Sequence, residues 1–387
     1  MQKLLIVTTI PATLSSFFLP FASHFRHQGW QVDAMACGIS TSPECLQAFN
    51  RVWEVEWSRN PLDPRNLLVA PRIIQQVIQQ GEYDIVHVHT PVAAFVTRYA
   101  LKNYRQQKKP QVFYTAHGFH FHPNGKALKN AVFLALEKLA GNWTDYLIVI
   151  NHDDEEVAKR YKIVPSERVY YMSGIGVDLD YYSCNSVSQV EVEQVRQELG
   201  LTPTTQLFLS VGELTPRKHP QDVLKAFALL GRSEVSLAFA GNGPLMAQMQ
   251  QLASQLEVQN QVHFLGLRRD IPTLIRTAVA TVLASEQEGL PRCVMESMSM
   301  ETPVIGTYIR GTRDLLAGGC GLLVNVGDIK AVAAAMGWIL DNPQAARVMA
   351  QRAYERIADY ELSQIVQQHE VLYAKAIQHK EFASVSR

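Results

Sequence analysis

Short apolar runs separated by longer amphipathic stretches recur along the chain, and the pattern occurs twice. In the first half, Leu4–Thr8, Gln31–Ala36, Ile85–His89, Gln111–Ala116 and Tyr146–Ile150 read as strands. Between them the spacing of apolar positions predicts helices over Phe17–Gln28, Pro64–Gln80, Val92–Tyr104 and Ala127–Leu139. Pro20 delays the first of these, and Gly29 and Gly81 read as stops. A polar stretch, Tyr182–Glu193, interrupts the rhythm. The pattern then restarts with strands at Leu207–Val211, Ser236–Ala240, Gln261–Leu265, Ala280–Ala284 and Pro303–Gly306. Helices are expected at His219–Leu230, Ile271–Thr277, from Pro291 onward, at Ile329–Leu340 and at Pro343–Tyr360. The last amphipathic segment, Leu362–Gln378, reads as a packing helix.

Apolar strands joined by helices predict parallel sheets covered on both faces. The fold class is therefore α/β, with two Rossmann-like, doubly wound domains at 1–185 and 186–360 and a final helix at 361–387. Two such domains are expected to bind ligand in a cleft that faces the carboxyl ends of their strands. The loops of interest are then Thr8–Ser16, Thr90–Pro91, His117–Asn124, Gly212–His219, Gly241–Pro244, Gly266–Asp270 and Ser285–Arg292.

Composition narrows the function. The 387 residues carry 36 basic and 36 acidic side chains, and this balance argues against a general nucleic-acid binder. The five scattered cysteines show no zinc spacing and are expected to be reduced thiols in a cytoplasmic protein. Met1–Val7 lacks the long apolar stretch of a signal peptide, and no run approaches the ~20 apolar residues of a spanning helix. The lysines and Arg105 around Lys102–Lys109, continued by Lys126, Lys129 and Lys138 with Phe119, Phe121 and Phe133, suggest weak peripheral membrane contact. A favourable helix-end dipole explains the first cluster without any partner and is the preferred reading of it.

The chemistry concentrates in Ser285-Glu-Gln-Glu-Gly-Leu-Pro-Arg-Cys-Val-Met-Glu296. Glu288 precedes a Gly289-Leu290-Pro291 turn that starts a helix, and Glu296 lies further along that helix. N–H groups at a helix start favour an anion, and carboxylates suit sugar and ribose hydroxyls, a combination that fits a nucleotide-sugar. Gly212 opens a loop in which Arg217 and Lys218 reach toward phosphate. Asn242 and Gly243 lie in a turn that brings backbone close to a ligand, and the backbone at Leu267 and Arg268 is placed to read a base edge. Asp270 reads as the cap of the next helix. His117, at a strand end, is the candidate for substrate contact. His120 and His122 share a side of an extended loop that His117 does not, and no carboxylate or cysteine completes a metal set.

Together these motifs resemble family 4 of the retaining glycosyltransferases, over nearly the whole chain. The resemblance rests on Glu288-x7-Glu296 with Glu-Gly-Leu-Pro291, Val-Gly-Glu-Leu-Thr-Pro-Arg-Lys218, Ala-Gly-Asn-Gly-Pro244, Phe-Leu-Gly-Leu-Arg-Arg-Asp270 and Gly-Ile-Gly-Val-Asp178. Tyr-Thr-Ala-His-Gly-Phe-His-Phe121 adds a likeness to members that build capsular and exopolysaccharides. The resemblance implies the GT-B fold, with the last helix crossing back onto the first domain. It implies a nucleotide-diphospho-sugar donor, with uracil as the base, and a saccharide acceptor, lipid-linked at the inner membrane face. It assigns Lys218 to the diphosphate, Glu296 to the ribose, Glu288 to the transferred sugar and Gly289–Arg292 to the diphosphate and sugar. His117 would serve the sugar site, with Gly118, His120, Thr13 and Ser16 toward the acceptor. No metal or other cofactor is expected. Glu213 stands where relatives often carry Arg, and the Thr8–Ser16 loop lacks their paired glycines. The rival readings are a nucleotide-sugar epimerase or hydrolase of the same fold and a non-catalytic sugar-nucleotide sensor.

Overall fold

The computed structural model describes residues 1–58, 60, 63–104, 110–121 and 125–385, with backbone only for 379–385. The chain forms two compact units, one from residues 1–175 with the chain from Gln364 onward, the other from Gly176–Ser363.

Among the described residues, unit 1 holds a seven-stranded parallel sheet. Its strands are β1 (Lys3–Val7), β2 (Gln31–Ala36), β3 (Val52–Glu54), β4 (Ile85–Val88), β5 (Gln111–Ala116), β6 (Tyr146–Val149) and β7 (Val169–Tyr171), in the order β3-β2-β1-β4-β5-β6-β7. The register sets Leu5 beside Asp33 on one side and Val86 on the other. The helices are α1 (Pro11–Phe17), α2 (Leu19–His27), α3 (Pro43–Ala48), α4 (Arg65–Leu68), α5 (Ala70–Gly81), α6 (Pro91–Ala100), α7 (Ala127–Gly141) and α8 (His152–Arg160). Leu5, Val7, Val86, Val88, Val112 and Leu147 form the centre of the core beneath α5 and α6.

Unit 2 repeats the plan with six strands among the described residues. They are β8 (Gln206–Val211), β9 (Val235–Ala240), β10 (Val262–Gly266), β11 (Ala280–Leu283), β12 (Val304–Thr307) and β13 (Leu322–Val324), in the order β10-β9-β8-β11-β12-β13. Its helices are α9 (Gln189–Glu198), α10 (Pro220–Leu230), α11 (Met246–Gln255), α12 (Ile271–Thr277), α13 (Arg292–Ser299), α14 (Thr312–Leu316), α15 (Ile329–Asp341) and α16 (Pro343–Ile357). Alternation along β8 sends Phe208 into one core and Leu207 and Leu209 into the other, so both faces of the sheet are buried. The last helix, α17 (Leu362–Val385), packs on unit 1 from Gln364. Tyr373 lies 5.3 Å from Phe25 and 5.0 Å from Phe113, ring to ring, and His24 pairs with Glu370 at 2.8 Å.

The differences from the sequence reading have local causes. The ten expected strands are present, but β3, β7 and β13 are added, each three residues long and at a sheet edge. The helix expected at Phe17–Gln28 runs from Leu19 to His27 with Pro20 in its first turn, and Pro11 starts a separate helix, Pro11–Phe17, where a loop was expected. The one expected from Pro64 breaks at Val69 for the same reason, with Pro71 beginning α5. Gly81 is inside α5 rather than its stop. A Cβ there would lie 2.1 Å from the Tyr83 ring, and the left-handed turn falls on Glu82 instead. A helix was missed within the polar stretch: Ser188 and Glu191 form a reciprocal capping box that starts α9.

One buried cation ties α6 to α7. The Arg98 guanidinium donates to Glu137 at 3.2 Å and to Thr144 at 3.3 Å, and lies 3.9 Å over the Tyr114 ring. Tyr114 also donates to Glu137, at 3.0 Å. Arg98→Ala would leave Glu137 without its cation, and loss of one partner of a buried pair costs about 3–5 kcal/mol. The expected result is a marked fall in the urea midpoint of unit 1, read by near-ultraviolet dichroism; an unchanged midpoint would show the pair to be dispensable.

Candidate active site

A doubly wound sheet reverses its strand order once, and the crossovers on either side diverge there and leave a crevice at the carboxyl ends. In unit 2 the reversal lies between β8 and β11. The two loops that leave these strands meet. Gly212–His219 ends in a single turn, Pro216–Lys218, before a left-handed His219 (φ 49°) turns the chain into α10. Lys218 Nζ lies 2.6 Å from Glu288 Oε1, and Arg217 Nη1 lies 3.3 Å from the same oxygen. Arg217 also donates to the Gln287 carbonyl, and Glu286 N–H donates to the Arg217 carbonyl at 3.0 Å. The structure thus brings together Arg217, Lys218 and Glu288.

The second carboxylate is held by different partners. Pro291 has extended backbone, and Val294 and Met295 N–H donate to its carbonyl at 3.1 and 3.3 Å, which sets the start of α13. One turn on, Arg292 Nε sits 2.8 Å from Glu296 Oε1, an i,i+4 pair. Burial raises the Glu296 carboxyl, while Arg292 and a hydrogen bond from Tyr182 oppose that rise. Cys293 lies between the two glutamates. Burial pushes its thiol up to about 12, with Lys218 lowering it and Glu288 and Glu296 raising it. Tyr182, Arg292 as a side chain and Cys293 were not singled out by sequence reasoning as contacts of this site. Only the Arg292–Glu296 spacing carried a readable signal.

Glycines set the approach of these loops. Gly311 has φ +75°, and a Cβ on it would fall 2.1 Å from the Gly289 carbonyl oxygen. A Cβ on Gly243 would lie 2.4 Å from the Leu214 carbonyl, across the join where Leu214 N–H donates to Asn242 O at 2.9 Å. Gly212, Asn242 and Gly243 therefore share one junction, and Leu290 and Pro291 follow Gly289 into α13. Asp270 departs from the sequence reading because it is engaged by Arg268. The Arg268 guanidinium is clamped by Glu198 and by Asp270, the latter at 2.6–2.8 Å, so Asp270 does not cap α12 with its side chain. Leu267 beside it is exposed.

In unit 1 the reversal lies between β1 and β4. Thr9 N–H and hydroxyl meet the Thr90 hydroxyl at 3.0 and 2.7 Å, and Trp57 Nε1 donates to Thr9 O at 2.8 Å. Thr90 has φ +63°, a strained value for a β-branched residue. His89 Nδ1 and His117 Nε2 are 3.1 Å apart, and among the described residues His89 Nε2 has no hydrogen-bond partner. His87 bonds Tyr373 through Nδ1 and Thr115 through Nε2. Gly118 follows with φ +104°. Thr13 and Ser16 stand on α1 rather than in a loop, since Pro11 starts the helix there. His120 is exposed, its ring 5.5 Å from Phe133, and His122 lies outside the described residues. Phe119 and Phe121 are core residues, so they form no part of a surface patch.

Among the described residues no group of three His, Cys, Asp or Glu side chains is placed to hold a metal ion. No described helix is long and apolar enough to cross a membrane.

Two predictions follow from this geometry. Burial holds His117 and His369 down at about 4, and His87 and His89 well below the ordinary value. The unfolded chain, with histidines near 6.5, then binds more protons than the folded one at mildly acid pH. Their contribution to stability is present above about pH 6.5 and lost as pH falls toward 4. Urea midpoints should drop from pH 7 to pH 5, and drop less in His369→Phe; equal slopes would exclude this group as the cause. Gly311→Ala should displace the Gly289 loop and lower the urea midpoint of unit 2, and a native midpoint would refute the steric argument.

Comparison with known proteins shows the family and the fold. The family model "Glycosyl transferases group 1" matches residues 191–356, and "Glycosyltransferase Family 4" matches residues 16–181. The chain is 32% identical over 377 residues to EpsD of Bacillus subtilis (strain 168), which is named as a glycosyltransferase, covering 96% of each chain. It is 25% identical to the UDP-Gal:alpha-D-GlcNAc-diphosphoundecaprenol alpha-1,3-galactosyltransferase of Escherichia coli, over 74% of this chain and 73% of that one. The structure of Anabaena HepE in complex with UDP and glucose superposes with a TM-score of 0.81 at 19% identity, covering 97% of this chain and 100% of the other. That likeness concerns the fold, which is GT-B.

Proposed function

The chain belongs to glycosyltransferase family 4, and we propose that it moves a sugar, with retention, from a UDP-sugar to a lipid-linked saccharide in cell-surface polysaccharide synthesis. The observation that carries this reading is the Lys218–Glu288 pair at the unit 2 strand reversal, set next to the start of α13. An ammonium and a helix start provide for a diphosphate, and a carboxylate beside them provides for sugar hydroxyls. Glu296, buried and oriented by Arg292 and Tyr182, is a fixed acceptor for ribose hydroxyls. The relatives support the finer parts: one is named for a UDP-Gal donor and a diphosphoundecaprenol-linked acceptor, and HepE was crystallised with UDP. Such an acceptor lies at the membrane, and a peripheral position at its inner face is part of the proposal.

In this reaction the bond between the anomeric carbon and the β-phosphate oxygen breaks. The acceptor hydroxyl oxygen bonds to that carbon on the same face, and its proton passes to an oxygen of the departing nucleoside diphosphate. Lys218 and the α13 start stabilise the charge that develops on the diphosphate, in place of a metal. Glu288 orients the sugar. His117, Gly118, His120, Thr13 and Ser16 serve the acceptor side in unit 1.

The test is release of nucleoside diphosphate from a panel of UDP- and GDP-sugars in EDTA, with and without polyprenyl-diphosphate saccharides. Release from one UDP-sugar that requires the lipid saccharide is expected. Release without acceptor would replace the proposal with a hydrolase or epimerase, and binding with no release for any acceptor would replace it with a sensor. Glu288→Gln should lose more than about 100-fold in turnover, the scale of a lost transition-state contact, with unchanged dichroism. Near-native turnover in that variant would refute the assignment.

A further inference from the structure

Side chains alternate along β4 and β5, so His87 and His89 face one side of the unit 1 sheet together with Phe113, Thr115 and His117. The rings of His87 and His89 lie 4.0 Å apart, and the Phe18 ring covers His89 at 4.2 Å. Helix α17 closes this side. His369 and Tyr373, four positions apart and thus on one face of the helix, lie 5.7 and 5.8 Å from the His87 ring. His87 and His89 are buried, whereas His117 is half-buried at the carboxyl edge.

The nitrogens of His87 face two hydroxyls, Tyr373 at Nδ1 and Thr115 at 2.7 Å from Nε2. A hydroxyl gives or accepts a hydrogen bond, so either tautomer of His87 is satisfied. His89 has no such freedom. Its Nδ1 faces His117 Nε2 at 3.1 Å, and its Nε2 has no hydrogen-bond partner among the described residues. Two facing ring nitrogens bond only if one of them carries the proton. Burial holds His117 down at about 4 and His89 well below the ordinary value, so each ring is neutral and carries one proton. A proton on His89 Nδ1 leaves His117 Nε2 bare and puts the His117 proton on Nδ1. A proton on His117 Nε2 leaves His89 Nδ1 bare and puts the His89 proton on its own Nε2. In both cases the two rings have the same tautomer, both Nδ1–H or both Nε2–H. His117 Nδ1 makes no hydrogen bond among the described residues and is the nitrogen left for a ligand.

We propose that His89 is a positioning residue: it shares one proton with His117 and so locks that ring in a single tautomer, with Nδ1 turned to a substrate hydroxyl. The proposal rests on the functional reading for that hydroxyl, which belongs to a sugar; the coupling of the two rings is independent of it. The shared proton has no onward path, because His89 Nε2 has no partner among the described residues and burial disfavours a second proton on either ring. His117 therefore holds a hydroxyl without taking its proton, in keeping with passage of that proton to the departing diphosphate. A ring held in one orientation before the substrate arrives contributes its hydrogen bond without the cost of being ordered.

The test is nuclear magnetic resonance of the full chain, isotope-labelled at the histidine ring nitrogens, at neutral pH and without ligand. The His89 and His117 signals are assigned by their loss in His89→Asn and His117→Ala. The two rings should share one tautomer, and in His89→Leu the His117 signals should move to the averaged position of two exchanging tautomers. One ring protonated at Nδ1 and the other at Nε2 overturns the proposal, as does an unmoved His117 in His89→Leu. In the nucleoside diphosphate release assay His89→Leu should lose about tenfold in turnover, the scale of one misdirected hydrogen bond. His89→Asn, whose amide gives or accepts near the position of Nδ1, should recover most of that loss. Native turnover in His89→Leu, or an equally deep loss in His89→Asn with native dichroism in both, reduces the pair to packing and overturns the proposal. The resonance readout needs no donor. A shared tautomer without release from any UDP- or GDP-sugar defeats the transferase alone, and release with opposed tautomers defeats the positioning alone.

Discussion

All strands of each sheet run parallel, so every strand must be followed by a crossover and every carboxyl end opens a loop on the same edge. Where the strand order reverses, neighbouring crossovers leave for opposite faces and open a crevice at the carboxyl ends. That constraint places the chemistry in both units. In unit 2 the ends of β8 and β11 bring Lys218 against Glu288, and Gly311 allows Gly289 to approach without a side chain between. In unit 1 the ends of β1 and β4 bring Thr9 to Thr90 and set His89 beside His117 of the next strand.

The two edges differ in electrostatics, and each difference has a physical cause. The unit 2 site is made of charges neutralised in pairs. Glu288 is answered by Lys218 and Arg217, and Glu296 by Arg292. Ordering a long cationic side chain costs rotamer entropy, and here much of that cost is met before any ligand arrives. The unit 1 edge is neutral instead. His117, His89, His87 and His369 are held uncharged by burial, and their ring nitrogens are hydrogen-bond partners rather than charges.

Much of this was legible in the sequence. Nine of the ten expected strands are central and announced themselves because burial on both faces demands continuous apolar runs, while β10, at an edge, was readable at five residues. The edge strands β3, β7 and β13 did not, because three residues with one unpaired side leave no pattern. Glu288, Lys218 and the glycines were legible because they stand at fixed offsets from strand ends. Tyr182 was not, since it reaches Glu296 from a part of the chain more than a hundred residues earlier, and no local spacing encodes that contact. Phe119 and Phe121 looked like surface aromatics beside lysines, but alternation in the loop buries both. The exposed apolar side chains of that region belong to α7, whose leucines a sequence pattern assigns to a core.

The basic residues of the Gly212 loop show how position divides labour between adjacent side chains. Glu213 stands where the family resemblance leads to the expectation of an arginine, and it is exposed. Arg217 is the nearby candidate to replace it, but its guanidinium already donates to the Gln287 carbonyl and pairs with Glu288. Its backbone carbonyl accepts from Glu286 as well. Arg217 thus joins the two loops and positions Glu288, whereas Lys218 makes a single contact with that carboxylate through a flexible stem. A point charge on such a stem turns from a carboxylate to a phosphate with little rearrangement, while a guanidinium fixed by several bonds does not. Arg217 is therefore the brace between the two loops, and Lys218 is the cation of the pair that is able to turn.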